Sequence, residues 1–110
     1  MAFWKKRSRA GPTADVEQAV LLHIPSLVDS AGLNEIEDPI IDAIARFGVG
    51  EFDGNAIGPD GAVLYTYGPD ADALWQVVDA AIRREALGPG SYAVKRYGRP
   101  GASEVRIELN

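Results

Sequence analysis

Four clusters of glycine and proline divide this chain into stretches that each have room for one secondary-structure element. They are Gly58-Pro59-Asp60-Gly61, Gly68-Pro69-Asp70, Gly88-Pro89-Gly90 and Gly98-Arg99-Pro100-Gly101. Glycine and proline are the strongest local breakers, so the apolar period of each stretch between them decides its type. Ala62 to Tyr67 holds Val, Leu, Thr and Tyr and reads as a strand; Ser91 to Tyr97 reads the same way. Glu104 to Leu109 alternates cleanly, with Val105, Ile107 and Leu109 on one face and Glu104, Arg106 and Glu108 on the other. After Asp70 the period changes. Leu74, Val77, Val78, Ala81 and Ile82 recur at spacings of three and four, which predicts a helix with one apolar stripe. Asp70 is placed to cap it, Asp72 suits its N-terminal dipole, Arg83 and Arg84 suit the other end, and Asp79 and Arg83 form an i,i+4 pair. Trp75 lies beside the stripe, at the core margin.

Upstream, the near-continuous apolar run Gln18 to Ile24 predicts a central strand buried on both faces. Ile36, Ile40, Ile44 and Phe47 form a second helical stripe. Asp38 and Pro39 read as its N-cap and first helical residue, with a short turn from Asn34 to Glu37 before them and Gly48 closing the helix. Val49 to Ile57 is a weaker strand, and its Gly50, Gly54, Glu51, Asp53 and Asn55 suit a sheet edge. The resulting order is strand, helix, strand, strand, helix, strand, strand. This resembles the ferredoxin-like split βαβ sandwich, an α+β fold with two helices on one face of an antiparallel sheet, here βαββαβ plus a C-terminal strand over roughly residues 18–110. The resemblance implies that the second strand lies at one sheet edge and that the last strand hairpins from the fourth to form the other.

The chain has 110 residues and no cysteine, which suits one domain and excludes disulfides, thiolate metal sites and thiol chemistry. A single histidine gives no basis for a zinc site, and no cofactor is expected. The net charge of −5 is uneven. Lys5, Lys6, Arg7 and Arg9 make the first nine residues +4, leaving 7 basic against 16 acidic residues, or −9, over the rest. Residues 1–16, ending near Gly11-Pro12, read as a flexible basic tail and residues 17–110 as the single folded domain. The acidic body disfavours nucleic acid. No apolar run reaches the ~18 residues of a membrane span, and no apolar region follows the basic start as a secretory signal requires, so the expected location is the cytoplasm.

Two groups of side chains are candidates for function. If Val105 and Ile107 face the helices, Arg106 faces out. The same alternation, with Val94, Val20 and Leu64 inward, puts His23, Tyr65, Tyr67, Lys95, Tyr97 and Arg106 on the uncovered sheet face. Tyrosine is favoured at interfaces because it combines area with a polar tip. The second group is Glu51, Asp53 and Asn55, which by alternation share one strand face. Their oxygens suit Mg²⁺ or Ca²⁺, but the segment lacks the EF-hand pattern; a polar strand edge or an acidic patch for a basic protein partner fits it better. His23 has no nucleophile or carboxylate at a spacing that forms a triad or dyad, so no catalytic residue is assigned. The glycines lack the setting of a phosphate loop. The expected function is a non-enzymatic ligand- or protein-binding or regulatory module that acts through its open sheet face and self-associates as a homodimer. One alternative is a cofactor-independent enzyme of the dimeric α+β barrel type, with His23 as acid/base and Tyr65 or Arg106 orienting the substrate. Another is an acidic inhibitory or immunity-type partner of a basic protein.

Overall fold

A computed structural model describes residues 2–3, 17–83 and 85–109. Its elements in chain order are β1 (Ala2–Phe3), β2 (Gln18–Ile24), α1 (Leu33–Phe47), β3 (Glu51–Gly58), β4 (Gly61–Gly68), α2 (Ala71–Ile82), β5 (Tyr92–Arg96) and β6 (Glu104–Glu108). The fold is α+β: two helices and one antiparallel sheet of five main strands, extended by the two-residue β1 in the order β1-β3-β4-β2-β5-β6. With β1 on one flank and β6 on the other, this order differs from that of a simple four-stranded split βαβ sheet. β2 is central as its apolar run predicts, pairing with β4 on one side and β5 on the other, but it is not buried on both faces: Leu21 and His23 are only partly buried. β6 forms an edge. β3 does not form the opposite edge, because Ala2 and Phe3 pair with Ala56 and Asn55 along its outer side. The rest of the expected basic tail, residues 4–16, lies outside the described residues.

Pairing register shows which residues share a face. Val20, Leu22 and Ile24 stand opposite Thr66, Leu64 and Ala62 of β4, and Leu22 stands opposite Ala93 of β5. Val20, Leu22, Ile24, Leu64 and Ala93 join Ile36, Ile40 and Ile44 of α1 and Leu74, Val78 and Ile82 of α2 in a single core. Both helices therefore cover the same side of the sheet. α2 packs on β2, β4 and β5, and α1 packs on α2 and β3.

α2 follows its sequence signals closely. The Asp70 side chain accepts hydrogen bonds from the backbone N–H groups of Asp72 and Ala73 and satisfies two of the helix's orphan donors, a contribution of about 1 kcal/mol. Asp79 pairs with Arg83 at 2.9 Å. α1 departs from expectation. Asp38-Pro39 is not its start; the helix begins at Leu33 and carries Pro39 inside. Proline has no N–H to give the Glu35 carbonyl, and an interior proline commonly costs about 3 kcal/mol. The extra turn persists because it places Leu33 and Ile36 in the core beside Ile40. At the other end Gly48 adopts φ 64° and donates its N–H to the Ile44 carbonyl, closing the helix. Phe47, predicted to join the stripe, is 63% exposed.

Candidate functional site

The sheet face away from the helices carries Ala19, Leu21 and His23 of β2, Val63, Tyr65 and Tyr67 of β4, Tyr92, Val94 and Arg96 of β5, and Glu104, Arg106 and Glu108 of β6. Of the six residues expected there, His23, Tyr65, Tyr67 and Arg106 are present. Lys95 and Tyr97 are not. Lys95 stands opposite Val20 and Val105, on the helix side. Its ammonium donates to the Asp72 carboxylate at 2.8 Å, and the Tyr97 hydroxyl donates to the same oxygen at 2.6 Å. This clasp ties the first turn of α2 to the end of β5. The two donors hold the Asp72 carboxyl below its usual range, and Lys95 is correspondingly raised. Both charged groups are reachable by water, so the clasp contributes modestly.

The inversion of β5 has a definite cause. Ala93, rather than Val94, lies under the helices, completely buried opposite Leu22 and Ile107. In Tyr92–Tyr97 either phase puts one tyrosine and one cation on each face, so alternation cannot choose between them. The true phase brings Tyr92 to the open face in place of Tyr97.

Tyr92, the first residue of β5, is the middle member of a row on that face. The His23 imidazole stacks on its ring at 4.4 Å and 7°, reaching across from β2. From β6, on the other side, the Arg106 guanidinium sits 3.6 Å from the ring centroid and also pairs with Glu108. A guanidinium over an aromatic face is attractive because the ring's quadrupole is negative there. The result is a His23–Tyr92–Arg106 row across three strands, with Tyr65, Val63 and Val94 close by in register. Partial burial, and next the positive charge of Arg106, hold the His23 imidazole below its ordinary pKa of 6.5, while Glu104 opposes the shift. A base whose pKa is depressed by folding binds fewer protons in the native state. Its contribution is therefore present above pH 6.5 and lost as pH falls through the native value. An NMR titration should give a His23 midpoint below 6.5, and His23→Phe should reduce the loss of stability on acidification below that pH.

Glu51, Asp53 and Asn55 do not share a face. The β3–β4 register shifts between Phe52 and Gly54, where Gly54 adopts φ 118°. The extra residue in this bulge flips the strand. Glu51 stands opposite Tyr67 on the open side, whereas Asn55 stands opposite Leu64 on the helix side. There the Asn55 amide donates to the Glu37 carboxylate of α1 at 2.7 Å. Glu37 is only 8% exposed, and burial raises its carboxyl above the ordinary value, with Asp38 adding to the rise and the Asn55 bond opposing it. Sequence reasoning placed Glu37 in a capping turn. The overlooked signal was its spacing of four from Leu33 and three from Ile40, which sets a carboxylate in the apolar register of the helix.

Glu37 and Asn55 lie in a cleft between α1 and β3 with a volume of about 420 Å³ and walls that include Ile41, Ile44 and Phe52. Among the described residues, no group of three or more acids or histidines is arranged to hold a metal ion. No described helix is long and apolar enough to cross a membrane. Comparison with known family models, curated proteins and solved structures finds no match.

Proposed function

We propose that this chain is a non-enzymatic binding module whose open sheet face pairs with the same face of a second copy. The observation that carries this reading is the His23–Tyr92–Arg106 row, aligned across three strands on the side neither helix covers. A two-fold interface must be complementary to itself. This face holds both members of the required pairs: Arg96 and Arg106 against Glu104, Glu108 and Glu51, around the apolar Leu21, Val63 and Val94. The proposed pairing turns one copy so that cations meet acids and Tyr65 and Tyr92 meet apolar neighbours.

Size sets the expected strength. Five strands about 4.8 Å apart, each with five to eight residues at about 3.4 Å, project roughly 500 Å² per copy. That is at the low end for specific interfaces and suits a reversible dimer with a dissociation constant in the micromolar range or weaker. The reading includes a ferredoxin-like arrangement of β2 to β5 with the two helices. Supporting it, β4 lies between the strands flanking α1, and β2 lies between the strands flanking α2.

A mixed sample of isotope-labelled and unlabelled chains tests the reading. Intermolecular NOEs should join Val63, Tyr65, Tyr92 and Val94 of one copy to the same face of the other. Intermolecular NOEs confined to the helices would refute the face assignment.

A further inference from the structure

We propose that the cleft between α1 and β3 binds a small amphipathic organic cation, a primary amine or guanidine on a short apolar stem, with its charged head at Glu37 and Asn55. The site is separate from the open face and does not depend on the pairing proposed there. Its volume of about 420 Å³ falls within the roughly 300–1,000 Å³ of small-ligand sites. Its build is also theirs: aliphatic and aromatic walls from Ile41, Ile44 and Phe52, and a few convergent polar groups at one end. Charge selects the class of ligand. The polar end of the cleft holds the Glu37 carboxylate, and the described lining residues include no base. An anion would meet repulsion there, and a neutral apolar molecule would leave the buried Glu37–Asn55 pair without a further partner.

The Glu37–Asn55 pair makes the head site specific. The amide of Asn55 donates to one carboxylate oxygen of Glu37 at 2.7 Å and so fixes the orientation of the carboxyl group. The bulge at Gly54 brings Asn55 to this side, since an unbroken alternation from Glu51 would have kept it on the open face. An ammonium or guanidinium brings a positive charge to the buried carboxylate and forms a charge-assisted hydrogen bond with it. Binding then favours the ionised form of Glu37, whose proton leaves to buffer. Among the described residues, the other titratable groups near the cleft are Asp38 on α1 and Asp53 and Glu51 on β3, with Glu51 on the open side in register.

The test is an amide-shift titration of the full chain with four probes: benzylamine, n-butylguanidinium, benzyl alcohol and phenylacetate. The two cations should give saturable shifts centred on Glu37, Ile44, Phe52 and Asn55, and the neutral and anionic probes should not. Glu37→Gln should weaken the cations at least tenfold, and Arg106→Glu on the other face should leave them unchanged. If Glu37→Gln does not fold, calorimetry of the wild type in buffers of different ionisation heat decides, because benzylamine binding must release a proton near the Glu37 titration. The proposal fails if benzyl alcohol binds as well as benzylamine, if no cation saturates below about 10 mM, or if the shifts follow surface carboxylates such as Glu104 and Glu108. It also fails if an oligolysine peptide shifts these residues and the free amines do not, which would make the cleft a docking patch for a basic protein.

Discussion

Leu74→Ala is expected to lower the unfolding free energy by about 2–5 kcal/mol, the range for large-to-small changes in well-packed cores. Leu74 is completely buried on α2 and belongs to the core shared by both helices and the sheet. The change removes apolar contacts and leaves a cavity that the surrounding structure cannot readily close. β2 is held on both sides by β4 and β5, and the start of α2 is fixed by the Asp70 cap and by the Lys95 and Tyr97 bonds to Asp72. Domains of this size have a total stability of about 5–15 kcal/mol, so the loss is a large fraction of it. Thermal unfolding followed by circular dichroism should show the midpoint falling by about 10 °C or more. Val77→Ala, at a partly buried position on the same helix, should cost clearly less. Equal effects at the two positions would mean that α2 does not present its Leu74 side to the sheet.

The second large effect concerns the open face. Arg106→Glu should weaken self-association at least 30-fold, about 2 kcal/mol at 25 °C, while leaving the fold of the single chain intact. Three losses combine. The guanidinium leaves the ring of Tyr92, the pair with Glu108 becomes a like-charge contact, and the face loses one of the cations it needs against acids of the second copy. In a two-fold interface each substitution occurs twice, which multiplies its effect. Within one chain Arg106 is exposed on an edge strand, so thermal stability should change by no more than about 1 kcal/mol. Lys95→Ala is the matched control. Lys95 is also a strand cation, but its register puts it on the helix side, so its removal should not change the association constant. A Lys95→Ala effect as large as that of Arg106→Glu would place the interface elsewhere.

These residues also show how far the sequence could be read. Where one period dominates a stretch, the elements were legible: α2 from Leu74, Val78 and Ile82 with its Asp70 cap, β2 from its apolar run, and the outward direction of Arg106 from the alternation of β6. Most of what failed depended on contacts distant in sequence. The phase of β5 turns on a small residue, Ala93, fitting beneath the helices, and local alternation does not choose between it and Val94. The bulge in β3 changes which side Asn55 faces; Gly54 is the local signal for it, since an isolated glycine within a strand suggests a bulge, and strict alternation passed over it. The early start of α1 overrides a strong local signal at Asp38-Pro39 because burial of Leu33 and Ile36 outweighs one missing backbone hydrogen bond. β1 is two residues long and carries no period. As a result, four of the six open-face residues could be read from sequence, while Tyr92, at the centre of the row, and Glu37, at the head of the cleft, required the fold.

The central claim is that the uncovered sheet face joins two copies of this chain. Sedimentation equilibrium of the wild-type chain, from low micromolar to about 1 mM, tests it most directly. The account predicts a weight-average mass that rises with concentration from one chain toward two and fits a monomer–dimer equilibrium. A mass that stays at one chain across that whole range would contradict it.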